Sequence, residues 1–129
     1  MRKFFLIVLF LTTSLFAELE WEDNYKSALK SAKSQNKQVV LMFLKEDCSL
    51  CEILQETLFP DPSIVALLEK NFILLELDTE YDNRRGFKVY STPTIYFINA
   101  KGKQYGRAMT KQFTPENFQK RLQETLNAK

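Results

Sequence analysis

Three short runs of apolar residues stand out along the chain and predict buried strands. They are residues 38–44 (QVVLMFL), 72–77 (FILLEL) and 94–98 (TIYFI). The runs lack polar alternation, are rich in β-forming residues and are too short to form helices of their own. Such runs are typical of strands that are covered on both faces. A turn at residues 100–103 and a return segment at 104–109 predict a hairpin after the third strand.

The segments between these runs carry helical periodicity and helix-start signals. Residues 21–36 have apolar or small residues at helical spacing and predict a first helix. A second helix is predicted to begin at Cys48, and a short one is predicted within residues 78–89. A capping residue followed by proline marks the starts of two more helices, at Asp61-Pro62 and Thr114-Pro115. Helices that alternate with buried strands favour an α/β fold whose sheet is covered on both sides.

The first 17 residues have the pattern of a secretory signal peptide. Arg2 and Lys3 give a basic start, an unbroken apolar run follows, and Ala17 is a small residue suited to cleavage. The apolar stretch is shorter than the roughly 20 residues that span a bilayer, and an uncleaved membrane anchor is the alternative. We therefore expect a signal peptide at residues 1–17, a periplasmic location, no stable membrane insertion after cleavage, and a single domain at residues 18–129.

The charge balance of the chain does not favour a nucleic-acid partner. The chain has 18 Lys and Arg residues against 16 Asp and Glu residues, and two of the basic residues belong to the predicted signal peptide. The remaining domain is therefore formally neutral, whereas nucleic-acid binding requires a basic face. The basic clusters Arg84-Arg85 and Lys101/Lys103 are interpreted as solvated loops and turns. We expect a monomer that does not bind nucleic acid.

Both cysteines of the chain lie in one motif, Cys48-Ser-Leu-Cys51, and several cofactor sites can be excluded for them. Zinc needs about four ligands, usually Cys and His, and the chain has two cysteines and no histidine. Covalent haem attachment requires a histidine after the second cysteine, where Glu52 stands. An iron–sulfur cluster needs more thiolates. We therefore expect no metal and no cofactor, and a redox pair, an inert disulfide and two incidental thiols remain open.

The position of Cys48 favours the redox pair. A disulfide that closes so short a loop contributes only about 2 kcal/mol by the chain-entropy estimate, which a domain of this size does not need. A sulfur at the start of a helix faces free backbone N–H groups and the positive end of the helix dipole, and both stabilise the nucleophilic thiolate. Cys51 lies one turn further on. We assign Cys48 as the attacking sulfur and Cys51 as the more buried, resolving sulfur.

The chain resembles the thioredoxin superfamily over about residues 21–127. The strand QVVLMFL, the motif CSLC at a helix start and the segment FKVYSTPTIYFINAKGK at residues 87–103 carry the resemblance. Within the superfamily the chain is similar to secreted or periplasmic thioredoxin-like domains, of which the C-terminal domain of the transmembrane thiol:disulfide interchange reductase is one example. The resemblance implies a thioredoxin fold, a three-layer α/β/α sandwich around a mixed sheet of about four strands.

The same resemblance implies a site and a function. Pro93 is expected to be cis and to face the sulfurs, and Thr92 is expected to offer its backbone to an extended substrate. We expect a thiol–disulfide oxidoreductase that acts on cysteine-containing protein substrates and exchanges electrons with a redox partner protein. A peptide-binding module with an idle disulfide and a redox-sensing subunit are the alternatives. For Tyr90 and Tyr96, which flank the proline segment, we expect packing in the core or sheet rather than a place in a peptide groove.

Two positions depart from the family pattern. Asp47 stands where the family often has Trp, and Met42 stands where it often has a buried carboxylate that helps take the proton of the second cysteine. Glu46 and Glu76 are candidates for that task, although an ordinary exposed carboxylate is the favoured interpretation of each. The carboxylates of Glu46 and Asp47 disfavour a thiolate at Cys48, while Lys45 and the helix end favour it by a comparable amount, so we expect Cys48 to be nearer an ordinary thiol than the very acidic thiol of a strong oxidase. The linking Ser-Leu also lacks the Pro-His type of pair of family oxidases. These features favour a reductant or interchange protein.

Overall fold

A four-stranded sheet lies at the centre of the fold in the computed structural model, which describes residues 19–81 and 84–128. Its strands are β1 (Trp21–Glu22), β2 (Gln38–Leu44), β3 (Phe72–Asp78) and β4 (Thr94–Ile98). The order across the sheet is β1-β3-β2-β4. Strand β3 is parallel to β1 and β2, and β4 is antiparallel to β2. The expected mixed sheet of about four strands is confirmed.

Four α-helices of the described residues cover this sheet. They are α1 (Tyr25–Gln35), α2 (Ser49–Leu58), α3 (Pro62–Asn71) and α4 (Pro115–Asn127). The predicted starts of α3 and α4 are confirmed, because the side-chain oxygens of Asp61 and Thr114 accept hydrogen bonds from backbone N–H groups of the first turn. The described part of residues 78–89 contains only a three-residue 3₁₀ turn, Thr79–Tyr81, in place of the predicted short helix.

The sheet has an apolar layer on each face, which explains why β2 lacks polar alternation. Alternate side chains of β2 point to opposite faces, and both sets are buried except at the last residue, Leu44, which is partly exposed. On one face, called face A here, helices α2, α3 and α4 pack on Val40, Met42, Leu74 and Phe97. On the opposite face B, helix α1 packs on Val39, Leu41, Phe43 and Ile98. The three-layer sandwich inferred from the sequence is confirmed.

Strand pairing shifts the start of the first helix and makes the predicted hairpin irregular. Residues Trp21–Glu22 form edge strand β1 beside β3, so α1 starts later than predicted, with Asn24 as its N-cap. The return segment 104–109 does lie antiparallel to β4, through the bridges Ile95 to Met109 and Ile98 to Gln104 and a hydrogen bond from the Tyr105 N–H to the Phe97 carbonyl. The return segment spans more residues between these bridges than β4 does, so a continuous ladder cannot form.

The predicted signal peptide at residues 1–17 lies outside the described residues. Among the helices of residues 19–81 and 84–128, none has both the length and the apolar character needed to cross a membrane.

Candidate active site

Cys48 is the N-cap residue of α2 and lies just beyond the end of β2. After β2 the chain turns through Asp47, whose φ of 53° is in the left-handed region, and Cys48 returns to an extended backbone before the helix begins. The backbone N–H of Cys51 donates a hydrogen bond to Cys48 Sγ at 3.2 Å. Cys48 therefore fills the capping role that Ser or Asp fills elsewhere, and its sulfur faces the helix tip as predicted.

The two cysteines are joined as a disulfide across the first turn of α2. Their Cα atoms are 5.2 Å apart. Cys48 is 8% exposed and Cys51 4% exposed. The difference has the direction expected for an outer attacking sulfur and an inner resolving sulfur. The structure is thus the oxidised form of the pair.

The Thr92–Pro93 segment lies against the same sulfur, although it is 44 residues away in sequence. The Thr92–Pro93 peptide bond is cis, as the sequence predicted. The hydroxyl of Thr92 donates a hydrogen bond to Cys48 Sγ at 3.4 Å, and the carbonyl oxygen of Thr92 lies 3.5 Å from the same sulfur. In the reduced protein, the Thr92 hydroxyl and the Cys51 N–H are two donors for a Cys48 thiolate, and hydrogen bonds to a charged form stabilise it.

Contacts with face B hold this proline segment in place. The hydroxyl of Thr94 donates a hydrogen bond to the carbonyl of Ser91 at 2.6 Å, and the hydroxyl of Tyr96 donates one to the carbonyl of Lys88 at 2.5 Å. Phe87 packs on Tyr96 with ring centroids 4.8 Å apart. Because the residues on both sides of Thr92 are anchored to the sheet, Thr92 is presented to Cys48 by a rigid support.

Four large apolar side chains of the described residues are exposed. Leu50 and Ile53 project from α2, the helix that Cys48 caps, Tyr90 lies two residues before Thr92, and Tyr81 follows β3. Tyr96 is buried, as expected, but the expectation for Tyr90 was wrong because its side chain is 90% exposed. Two of the elements that form the site, α2 and the segment before Thr92, therefore carry exposed apolar side chains.

An open cavity beside the cysteine pair carries charges of both signs. Its volume is about 390 Å³, and both cysteines line it together with Leu44, Lys45, Glu46, Asp47, Glu52 and Gln55. On the neighbouring strand, Glu76 accepts a hydrogen bond from Gln55 Nε2 at 3.1 Å. The sequence interpretation missed Gln55, whose only signal was its place one helical turn after Cys51. Within the described residues, no group of three or more His, Cys, Asp or Glu side chains is arranged to hold a metal ion.

Burial distinguishes Glu76 from the other carboxylates near the site. Desolvation raises the pKa of Glu76, and the hydrogen bond from Gln55 lowers it by a smaller amount. Solvent still reaches the side chain, which is the exposed position within β3. Glu76 is therefore accessible to protons and has a higher proton affinity than an ordinary glutamate.

The fold and the cysteine pair at the tip of α2 put the chain in the class of thioredoxin-like thiol–disulfide oxidoreductases. The chain belongs to the thioredoxin-like domain family, whose profile matches residues 25–126. It is 32% identical over 85 residues to the thiol:disulfide interchange protein DsbD of Pseudomonas fluorescens, a match that covers 61% of this chain and 14% of that protein. It is 28% identical over 83 residues to anterior gradient protein 3 of Xenopus tropicalis, covering 64% of this chain and 51% of that protein.

Solved structures show the same fold. A thioredoxin from Thermus thermophilus superimposes with a TM-score of 0.73 at 24% identity, covering 84% of this chain and 87% of that chain. DsbH oxidoreductase superimposes with a TM-score of 0.72 at 22% identity, and the match covers 87% of each chain. The oxidised C-terminal domain of DsbD from Neisseria meningitidis superimposes with a TM-score of 0.62 at 13% identity, and the match covers 77% of this chain and 90% of that chain. These likenesses establish the architecture that places Cys48 beside Thr92.

Proposed function

We propose that the protein is a periplasmic thiol–disulfide oxidoreductase that reduces or interchanges disulfides of protein substrates through Cys48 and Cys51. The observation that carries this proposal is the position of Cys48 Sγ, at the tip of α2 and within hydrogen-bond reach of Thr92. An inert clip has no need of a sulfur that accepts hydrogen bonds from the helix tip and from the Thr92 hydroxyl. A redox pair requires such donors, since the thiolate must be stabilised before it attacks a substrate.

The proposed reaction begins with the reduced pair. The Cys48 thiolate attacks one sulfur of a substrate disulfide, forms a mixed disulfide and releases the other substrate sulfur as a thiolate. Cys51 then loses its proton and attacks Cys48 Sγ, which closes the Cys48–Cys51 disulfide and releases the second substrate sulfur. Two electrons pass from the protein to the substrate. A redox partner protein reduces the Cys48–Cys51 disulfide again by the same exchange.

Thr92 and Pro93 are the proposed substrate-binding residues. The Thr92 carbonyl lies 3.5 Å from Cys48 Sγ, so a substrate strand paired with this segment would place its own sulfur beside the nucleophile. Leu50, on α2 two residues after Cys48, and Tyr90, two residues before Thr92, are exposed and suit apolar residues that flank the substrate cysteine. The docking geometry thus selects extended segments, as in unfolded or flexible protein substrates.

The proposed periplasmic location of the protein and the proposed direction of disulfide exchange are supported by separate features. The signal-peptide pattern of residues 1–17 supports the periplasm, where disulfides form and persist. One relative, DsbD, is named for thiol:disulfide interchange. The segment before Cys48 holds two carboxylates, Glu46 and Asp47, against one cation, Lys45, so its net charge is negative, whereas a strongly oxidising protein must stabilise its thiolate. This charge supports reduction or interchange rather than oxidation.

A peptide-binding module with an idle disulfide is the second candidate. The observation that favours it is the burial of both cysteine residues, combined with the exposed Leu50 and Tyr90 on the elements that form the site. Such a module would use these side chains to hold extended chains without exchanging electrons.

The reduction potential of the Cys48–Cys51 pair tests these candidates together. We expect a value of roughly −270 to −180 mV, the range between thioredoxin and protein disulfide isomerase, because the helix tip stabilises the thiolate while the nearby carboxylates oppose it. The protein is equilibrated in glutathione buffers of known ratio, and the reduced fraction is read by alkylation and mass spectrometry. The Cys51→Ser variant, which cannot form the pair, gives the background.

Other values of this potential contradict specific parts of the proposal. A value below about −300 mV is expected of an inert structural disulfide and would support the idle module. A value near about −120 mV is that of a strong oxidase and would overturn the proposed direction while leaving the redox function intact.

A further inference from the structure

The charged side chains of the protein are segregated by sign along the chain. Residues 19–81 contain twelve acidic and six basic side chains, whereas residues 84–115, which include β4 at one edge of the sheet, contain seven basic and no acidic side chains. All seven cations are exposed. The ion pairs of the described residues both lie on α4 and involve Glu124, so none of the seven is paired with a described carboxylate. This edge of the protein therefore attracts anions.

Two of these cations, Arg85 and Lys88, line an open groove, which is called the basic groove here. Its volume is about 580 Å³, and its lining includes three aromatic side chains, those of Tyr25, Phe87 and Tyr96. No Asp or Glu residue is among the residues that line it. A concave surface that combines cations with aromatic rings can bind an anionic group and an apolar group side by side.

The aromatic rings of the basic groove hold one another in place. The ring of Phe87 lies 4.8 Å from that of Tyr96 and 6.2 Å from that of Tyr25, centroid to centroid. Tyr25 also packs against the turn that follows β4, since a Cβ atom at Gly102 would lie only 2.5 Å from the Tyr25 hydroxyl oxygen. Because the rings are fixed by these contacts, little ordering of the protein opposes binding in the groove.

Arg85 and Lys88 are each positioned at the basic groove by a contact with one of these rings. The Arg85 guanidinium lies over the Tyr25 ring, with Cζ 5.7 Å from the ring centroid. The Tyr96 hydroxyl donates a hydrogen bond to the Lys88 carbonyl at 2.5 Å and fixes the backbone of Lys88. Cations that only protect a sheet edge from aggregation need no such support. A guanidinium stacked on a ring keeps its planar donors available for a carboxylate, which it binds through two parallel hydrogen bonds.

The basic groove is within reach of a substrate held at Cys48. Lys88 is four residues before Thr92, and four residues of chain span at most about 14 Å. The Thr92 hydroxyl in turn lies 3.4 Å from Cys48 Sγ. A substrate whose cysteine is beside Cys48 therefore needs an extended segment of only about five residues to reach Lys88.

We infer that the basic groove binds an acidic segment of the protein substrate, in which Asp or Glu residues adjoin an aromatic residue. This inference rests on the proposed function. The carboxylates of the segment pair with Arg85 and Lys88, and its aromatic side chain lies on the rings that line the groove. The substrate cysteine, about five residues away in the same chain, is thereby held beside Cys48. The groove selects substrates by the charge of the sequence near their disulfide, because opposite charges across an interface favour one partner over others.

Synthetic peptides measure this selection, each with one cysteine in a mixed disulfide with nitrothiobenzoate. Cys48 of the reduced full-length protein attacks the peptide sulfur. The Cys48–peptide S–S bond forms, the peptide–nitrothiobenzoate S–S bond breaks, and nitrothiobenzoate leaves as a coloured thiolate. Two peptides carry the sequence Glu-Phe-Asp about five residues from the cysteine, one before it and one after it. Their counterparts carry Gln-Phe-Asn, which has nearly the same shape without the charges.

We expect one of the acidic peptides to react about 5-fold faster than its amide counterpart at low salt, an effect of the size expected for two exposed ion pairs. This ratio of rates should approach one at about 1 M salt, where exposed charges are screened. Arg85→Gln/Lys88→Gln should bring the ratio close to one at low salt as well. Because the ratio compares two peptides on the same protein, a general loss of folded protein does not change it.

The matched control is Lys30→Gln/Lys33→Gln, which removes two exposed cations of α1 that do not line the basic groove. This variant loses the same net charge as Arg85→Gln/Lys88→Gln. It should keep the wild-type ratio of rates.

Three results would overturn the inference. Wild-type protein could react equally fast with the acidic and amide peptides, or the control variant could lose the preference as fully as Arg85→Gln/Lys88→Gln, which would indicate a general effect of net charge. Alternatively, a single-stranded oligonucleotide could compete with the acidic peptides more strongly than a cysteine-free acidic peptide does, which would assign the groove to a nucleic acid. Failure of the proposed function has a different signature, since wild-type protein would then react with every peptide no faster than glutathione does, and the inference would fall with it.

Discussion

A Cys51→Ser variant will accumulate as mixed disulfides with its protein substrates, whereas a Cys48→Ser variant will form none. Cys48 lies at the helix tip beside Thr92 and can attack, but without the Cys51 sulfur nothing resolves the bond that it forms. Turnover of a protein disulfide should fall on the order of 10³-fold or more in both variants, as expected when a unit of covalent catalysis is broken. Non-reducing gels of the expressing cells, followed by mass spectrometry of the bands, measure the trapped species.

Controls make this result specific to the pair. The Cys48→Ser/Cys51→Ser double variant should give the same empty lanes as Cys48→Ser. Ser49→Ala changes the linker but leaves both sulfurs, and it should trap no more than wild type. Equal trapping by the two single variants would contradict the assignment of roles. Absence of trapped partners in Cys51→Ser would favour the module with an idle disulfide.

Replacing Phe97 with Ala is expected to have the largest effect on stability. Phe97 is fully buried on β4, where its ring lies 6.2 Å from that of Phe118 on α4, centroid to centroid. The Arg121 guanidinium lies over the same ring at 4.8 Å. Removing the ring leaves a cavity between the sheet and α4, so the free energy of unfolding should fall by about 3–5 kcal/mol. Equilibrium denaturation of the oxidised protein measures this loss.

An exposed aromatic residue provides the control for this measurement. Tyr81 is 72% exposed, and Tyr81→Ala should change the free energy of unfolding by no more than about 0.5 kcal/mol. Since domains of this kind are stable by only about 5–15 kcal/mol, the Phe97 variant should be visibly less stable at room temperature. A loss below about 1 kcal/mol would contradict the packing of α4 on β4.

The strands and helix starts were predictable because their signals are local. The run at residues 38–44 is buried on both faces, and it forms β2 over the same residues. Asp61-Pro62 and Thr114-Pro115 start helices because a cap and a proline act on their own first turn. Edge strand β1 was missed because its two residues are a strand only by pairing with β3. The return segment lies beside β4 as predicted, but its pairing is irregular because it has more residues between the two bridges than β4 has, and intrinsic β-propensity does not specify this register.

The candidate site also has parts that the sequence predicted and parts that it did not. Cys48 and Cys51 were predicted from their spacing and helix position, and Thr92 and Pro93 from the family resemblance. The hydrogen bond between Gln55 and Glu76 depends on how α2 lies over β3, and no local pattern reports that packing. The exposure of Tyr90 was also missed, because an aromatic residue beside a strand is more often buried than not.

The order in which the two cysteines are alkylated tests the central claim most directly. Reduced wild-type protein is treated with a limiting amount of iodoacetamide, and the labelled peptides are quantified by mass spectrometry. Cys48 should be labelled at least about 10-fold faster than Cys51, because its thiolate is stabilised by the helix tip and the Thr92 hydroxyl, while Cys51 is the more deeply buried residue of the two. Equal labelling of the two, or Cys51 labelled first, would contradict the account.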